Sequence, residues 1–408
     1  MGKQSNVSLI RKLRQVYIFL RNPVHRVAWT IFRVVPIQRN KIVFDNFNGV
    51  GYADNPKYIA EEFRKTGEDY ELIWLISRKC KKHMCDNLPD GIKAVQIHTL
   101  SMIYHMVTAK VWINNVRLSF FAKKREGQYY IQTWHGSYGG KKSEKDVEDR
   151  LELAYVKLAK MDSKLADIFL SNSHLMTEHY HRTYWYEGEV LECGFPRNDI
   201  LVNNTETKRK EILEKLNIDQ DEKIVLYAPT FRDDHNCDVL NLDMNRLRDA
   251  LENRFPAPWK ILRRLHPNLI HQEKEKITIP NVLDVTSYPD MQELLLIADV
   301  LITDYSSSYL DFILMKKPVF FYMPDYSTYV KDRDFHFDLT KIFVPCSYSN
   351  EELVNSIIQF DNETYQKELN DFKQWYHFVE DGTAGKAVAY WIKQKISNSH
   401  SIEPLEGK

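Results

Sequence analysis

Short runs rich in β-branched and aromatic residues alternate with amphipathic helical stretches from Lys41 to Tyr322. This alternation constrains the fold more than any other feature of the chain. Lys41–Phe47, Leu72–Ser77, Lys110–Asn114, Tyr129–Trp134 and Ile168–Ser171 read as strands. Helical periodicity falls between most of them, near Pro56–Lys65, Thr99–Ala109 and Glu148–Lys160. Strands that must be covered on both faces predict a parallel sheet between helices. A polar stretch, Asn203–Lys210, then reads as a domain boundary, and a second series begins. Its strands are Lys223–Pro229, Trp259–Leu265, Val282–Val285, Val300–Thr303 and Val319–Tyr322, with helices at Leu242–Asn253, Asp290–Ile297 and Ser306–Leu314. A length of 408 residues exceeds one ordinary core and suits two α/β domains. The predicted organisation is an N-terminal arm over 1–38, one doubly wound domain over 39–204, a second over 205–380, and a C-terminal helix and tail over 381–408.

The net charge is zero, yet residues 1–40 carry eight Lys or Arg and no acid, so the remainder has 48 basic against 56 acidic residues, a net of −8. Within the arm, Leu9, Ile10, Leu13, Val16, Tyr17 and Leu20 recur at helical spacing. After Asn22-Pro23, Val24, Val27, Ala28, Ile31, Phe32 and Val35 form a second stripe. Two basic amphipathic helices of this kind suit an anionic membrane surface, although packing on the body of the protein would also explain them. No apolar run approaches the ~18–20 residues of a membrane span. Arginines interrupt every candidate signal-peptide core. Five scattered cysteines form neither a disulfide framework nor a CxxC zinc pattern, which fits a reducing, cytosolic environment.

Asp304-Tyr305-Ser306-Ser307-Ser308-Tyr309-Leu310-Asp311 follows an apolar strand and opens a helical pattern. A helix start at a strand's carboxyl end offers free N–H groups to a diphosphate, and Asp311 is placed to accept from ribose hydroxyls. On chemistry alone the serine run is first of all an N-cap and only second a phosphate cradle. His135 and His266 each end a strand, where an imidazole can titrate near neutral pH. His135 suits a proton acceptor and His266 a donor to phosphoryl oxygens; each alone reads first as a structural histidine, and two at matching strand ends shift the balance modestly toward chemistry. Arg197, Arg232 and Arg264 lie at the same loop ends, and guanidinium forks match phosphate. His174, His179 and His181 resemble a metal cluster, but no carboxylate has firm spacing, so no metal is expected. Neither GxGxxG nor GxxxxGK[ST] nor GxSxG is present, which removes the dinucleotide, P-loop and hydrolase-elbow readings.

At these motifs the chain resembles the CDP-glycerol glycerophosphotransferases of teichoic acid synthesis. Six segments in the family's order carry the resemblance: Asp54-Asn55-Pro56-Lys57-Tyr58, Gln132-Thr133-Trp134-His135-Gly136, Gly194 with Pro196-Arg197-Asn198-Asp199, Leu226–Arg232, Leu265-His266-Pro267, and Thr303–Ser307. The resemblance implies a GT-B-like fold of two Rossmann-like domains facing a cleft. It implies an acceptor domain over 39–204 and a CDP-polyol domain over 205–380, with peripheral attachment to the cytoplasmic face of the cell membrane. It implies transfer of glycerol phosphate from CDP-glycerol to a lipid-linked wall polymer with release of CMP. The donor is then the only small molecule required, with no cofactor, no metal and no nucleic acid. It implies catalytic roles at His135, His266 and Asp199, and substrate contacts at Gly136, Arg197, Thr230, Arg232, Arg264, Ser306, Ser307 and Asp311. Two segments depart from the family pattern. Ser137-Tyr138-Gly139-Gly140-Lys141-Lys142 stands where Thr-Pro-Leu-Lys usually follows Trp-His-Gly, and Arg333-Asp334-Phe335-His336-Phe337-Asp338 stands where Arg-Gly-Phe-Tyr-Phe-Asp is usual. These departures keep a CDP-ribitol or capsule transferase in view, and a non-catalytic membrane-bound polymer-binding protein is the alternative of another class.

Overall fold

A computed structural model describes residues 23–80, 88–230, 232, 242–265, 282–332 and 334–397. Two parallel sheets organise the chain. The first has seven strands in the order β3-β2-β1-β4-β5-β6-β7: β1 Gln38–Asp45, β2 Glu71–Ile76, β3 Ile92–Gln96, β4 Ala109–Asn114, β5 Tyr129–Gln132, β6 Ile168–Ser171 and β7 Glu189–Glu192. The second has six in the order β10-β9-β8-β11-β12-β13: β8 Lys223–Tyr227, β9 Trp259–Arg263, β10 Val282–Asp284, β11 Val300–Thr303, β12 Val319–Tyr322 and β13 Cys346–Ser347. Their central strands are buried along nearly every residue, as β2 (Leu72–Ile76) and β11 show, because helices cover both faces. Strand order reverses between β1 and β4 in one sheet and between β8 and β11 in the other. Open α/β sheets bind ligands beyond the carboxyl ends of strands at such reversals.

The two-sheet α/β architecture is the one expected. β6, β11 and β12 keep their expected bounds, and most other strands end one or two residues early. β3, β7 and β13 carry too few buried residues to announce themselves in the sequence. The polar stretch read as a boundary, Asn203–Lys210, instead runs into a helix, Glu206–Leu216.

The chain divides into two compact units, and neither is continuous. One takes 1–134, 152–169 and 388–408; the other takes 135–151 and 170–387. In the first unit, a helix over 23–31 drives Ala28 and Trp29 into a core with Met106, Trp112, Phe120 and Tyr130. The Trp29 ring meets Trp112 edge-on at 6.0 Å, and its indole N–H donates to the Lys123 carbonyl at 2.7 Å. A buried tryptophan with its polar handle satisfied anchors a helix strongly. Val24, Val27, Ile31 and Val34 are left exposed on this segment. The preceding stripe, Leu9–Leu20, lies outside the described residues. In the same unit, the helix Ala384–Ser397 reaches back with Trp391 against Tyr129 and Lys393 paired to Glu68.

Candidate active site

The turn before His135 is built in the first unit. β5 stops at Gln132, and Trp134 takes a left-handed φ of 54°. Non-glycine residues hold that conformation only where the surroundings enforce it. Here the Asn55 side-chain amide donates to the Thr133 and Trp134 carbonyls, at 3.3 and 3.0 Å, and Gln132 Oε1 accepts from Trp134 N–H at 3.0 Å. The Asp54-Asn55-Pro56 motif is thereby explained as a clamp on this turn.

The loop that follows the turn, residues 135–151, belongs to the second unit. The half-buried His135 presents its carbonyl to Arg197, whose Nη1 donates to it at 2.6 Å. Arg197 Nη2 pairs with Asp311 Oδ2 at 2.9 Å, both side chains 4 % exposed. Asn198 donates to Asp311 Oδ1 at 3.1 Å and Gln292 to Oδ2 at 2.9 Å, while Ser137 Oγ sits 3.4 Å from Oδ1 and accepts from Asn172 at 2.8 Å. Asp311 is therefore the hub of a buried polar network rather than an open acceptor for ribose. Arg197 likewise spends its donors on the protein. Buried charge persists only when paired and hydrogen-bonded in this way.

The loop carrying His135 lies against the start of the helix Ser308–Phe312. A Cβ added at Gly136 would sit 3.0 Å from Ser307 Oγ, and one at Gly139 would sit 3.4 Å from Ser307 Cβ. Glycine at both positions lets backbone approach the helix end closely. Ser306 and Ser307 remain half-exposed, and Ser306 Oγ accepts from Ser308 N–H at 3.2 Å. These serines follow β11, next to the strand reversal of the six-stranded sheet.

The neighbouring strand end, after β8, holds Thr230 and Arg232. Asp304 Oδ1 accepts from Thr230 N–H at 2.8 Å and from its hydroxyl. Arg232 binds Asp325 through Nε at 2.6 Å and Asp304 through Nη2 at 2.9 Å, and donates to the Thr230 carbonyl at 2.7 Å. It also lies about one ring-width from the stacked Tyr305–Tyr329 pair, whose centroids are 3.6 Å apart. Burial opposes its charge, but Asp325 and Asp304 outweigh that and raise its pKa. Arg232 is thus a strut that fixes the loops after β8, β11 and β12. Arg264 differs: Nη1 donates to the Tyr288 carbonyl at 2.8 Å, and burial pulls its pKa down. A desolvated guanidinium with no ion pair among the described residues is suited to an incoming phosphate. His266 lies outside the described residues, two positions further along.

Asp199 turns to another task. Its two carboxylate oxygens accept from Ala384 N–H at 3.0 Å and Gly385 N–H at 2.7 Å, capping the helix Ala384–Ser397. Beside it, Glu380 accepts from Asn198 at 2.7 Å and from Phe195 N–H at 3.2 Å. Burial pushes the Glu380 carboxyl up to about 8 despite the Asn198 hydrogen bond. Gly194 has φ +87° and a Cβ there would strike Glu380 at 2.6 Å, so the Gly194–Asp199 motif needs its glycine on two counts. Sequence reasoning missed Asn172, Gln292, Glu380 and Asp325. The polar pair Gln292-Glu293 among the buried positions of Met291–Ile297 was the one available signal, for Gln292. The histidine trio also dissolves. His174 faces Glu178 and Glu192, His181 faces the Tyr186 carbonyl, and only His179 points into a cluster.

Comparison with known proteins agrees with this layout. The chain is 29% identical to the teichoic acid poly(glycerol phosphate) polymerase of Bacillus subtilis (strain 168), over 95% of its own length and 53% of that protein's. It is 30% identical to the teichoic acid glycerol-phosphate transferase of Staphylococcus aureus (strain NCTC 8325 / PS 47), covering 91% of this chain and 98% of that one. The chain thus spans about half the length of the first relative and nearly all of the second. A variant of the wall teichoic acid polymerase TagF, soaked with CDPG, superposes with a TM-score of 0.81 at 26% identity, covering 98% of this chain and 100% of that chain. Residues 27–394 match the family described as CDP-Glycerol:Poly(glycerophosphate) glycerophosphotransferase, and the chain belongs to that family.

Proposed function

We propose that this protein transfers glycerol phosphate from CDP-glycerol to a hydroxyl of a teichoic acid acceptor and releases CMP. One observation carries the reading at the level of residues. The His135 loop is laid, through Gly136 and Gly139, on a serine-lined helix start beside the strand reversal of the second sheet. The acceptor oxygen attacks the β-phosphorus, the bond from that phosphorus to the bridging oxygen breaks, and CMP carries the bridging oxygen away. His135 takes the acceptor's proton as general base. Ser306 and Ser307, with Arg264 and His266, meet the phosphoryl oxygens as charge moves toward CMP. Arg197, Asp311, Thr230 and Arg232 hold the loops that present these groups. Asp199 and Glu380 brace the Gly194–Asp199 turn. The GT-B-like class is the finer fold reading that goes with this chemistry.

The test is product analysis by mass spectrometry with a defined lipid-linked acceptor and each CDP-polyol. CMP release and glycerol phosphate addition with CDP-glycerol are expected. Preference for CDP-ribitol would move the donor assignment, and CDP-glycerol binding without CMP release would leave only a polymer-binding protein.

The acceptor is lipid-linked and the protein works at an anionic membrane surface on the cytoplasmic side. No described helix is long and apolar enough to cross a membrane. Two segments of the first unit leave apolar side chains in solvent: Val24, Val27, Ile31 and Val34 on one, and Leu153, Tyr155, Leu158 and Met161 on the helix Leu153–Leu165. Exposed Lys157, Lys160 and Lys164 flank the second group. Apolar side chains among lysines suit an interface with anionic lipid. Each such side chain is worth roughly 1.5–3 kcal/mol when removed from water. The double variant Leu158→Glu/Met161→Glu is therefore expected to lower partitioning onto phosphatidylglycerol vesicles by more than about a hundredfold, measured by sedimentation. Unchanged partitioning would end this assignment.

A further inference from the structure

We infer that Asp146, His179 and His336 form a binding site for one zinc-class divalent cation that staples the segment after His135 to the segment 334–337. The three residues are far apart in sequence, yet each brings a ligand atom within 4.8 Å of the others. His336 Nε2 lies 2.8 Å from Asp146 Oδ2. Two imidazoles and one carboxylate are a donor set that zinc takes with a water in the fourth position.

The surroundings favour that use. His179 is 3 % exposed, and its ring is covered by Tyr138 at 4.1 Å. Tyr184 meets the same ring edge-on at 5.4 Å, so the imidazole is held in one orientation. Burial opposes ionisation of Asp146, but hydrogen bonds from His336 and Thr183 outweigh it and hold the carboxyl below its ordinary value. The Thr183 hydroxyl, 3.3 Å from His179 Nδ1 and 3.2 Å from Asp146 Oδ2, sits where a second layer of hydrogen bonds would orient both ligands. Arg182 Nη2 also reaches His179 Nδ1, at 3.2 Å, and the Tyr138 hydroxyl, at 3.4 Å; its side chain is exposed and would turn into solvent when a cation enters.

The placement is informative because both departures from the family pattern meet here. His336 stands where tyrosine is usual, and Tyr138 belongs to the segment that replaces Thr-Pro-Leu-Lys. Backbone joins them as well: His336 N–H donates to the Gly140 carbonyl at 2.7 Å and Lys142 N–H to the Asp334 carbonyl at 2.9 Å. Gly140, with φ +82°, packs its Cα face on the Phe337 ring. A cation here fixes the loop that begins at His135 and grips Ser307, and so couples metal loading to the geometry of the proposed base.

The metal-stripped full-length protein is titrated with Zn2+ and the bound metal counted by mass spectrometry after gel filtration, with Mg2+ as the oxygen-preferring comparison. One zinc per chain, a rise in melting temperature on loading, and no response to Mg2+ are expected. His336→Tyr, which restores the family residue, and Asp146→Asn should both lose the zinc and its thermal shift while melting normally without metal. Two substitutions at separate elements guard against one failing to fold. Absence of stoichiometric zinc in the wild-type chain, or full zinc retention in both variants, would overturn the inference and leave an ordinary His336–Asp146 ion pair.

Discussion

A His135→Asn protein is expected to release CMP from CDP-glycerol about 10²–10⁴-fold more slowly than the wild type, the range that one positioned general base supplies. The substitution is well suited to the question because the fold holds residue 135 by its backbone. Arg197 grips the carbonyl at 2.6 Å, and Gly136 fixes the approach to Ser307. Asparagine keeps both contacts, so the loop should keep its course and the melting temperature should change little. The loss should fall on the maximal rate with saturating acceptor, since donor affinity resides on other groups. A rate near that of the wild type, with the fold intact, would take the base role away from His135.

The second large effect concerns stability. Asp311→Ala leaves the Arg197 guanidinium buried at 4 % exposure without its counter-charge, and removes the acceptor shared by Asn198 and Gln292. Breaking a buried pair from one side costs about 3–5 kcal/mol. For a unit of this size that corresponds to a fall in melting temperature of roughly 6–20 °C. The apolar pair Arg197→Met with Asp311→Leu should recover much of that stability, because no charge is then stranded. It should not recover activity, because the His135 carbonyl loses its donor. Calorimetry and CMP release on the single and double variants separate the two outcomes. An Asp311→Ala chain that melts and turns over like the wild type would show that the network does not position His135.

Much of the fold was readable because burial on both faces of a parallel sheet writes itself as uninterrupted apolar runs. β6, β11 and β12 were placed to the residue for that reason. β3 was missed because Ile92–Gln96 is largely half-exposed at an edge, where no such run is required. The site was legible as a set of positions and less so as a set of roles. Arg197, Arg232 and Asp311 read as ligand contacts from residue type and motif. Folding instead pairs Arg197 with Asp311, and Arg232 with Asp304 and Asp325. Whether a guanidinium meets a phosphate or a buried carboxylate is decided by partners more than 70 residues away, which no local spacing reports. Asp199 shows the same limit, because its partner N–H groups arrive from Ala384 and Gly385.

The path of the chain through its two units has a consequence for biogenesis. The first unit is finished only when the stretch from Val388 onward arrives to set Trp391 on Tyr129 and Lys393 on Glu68. A ribosome adding about 5–20 residues per second will have emitted the entire second unit before that happens. Vectorial folding, with the leading half maturing while the trailing half is still in the exit tunnel, is denied to this topology. The nascent polypeptide must keep an unsealed flank until the whole of the second unit has been synthesised.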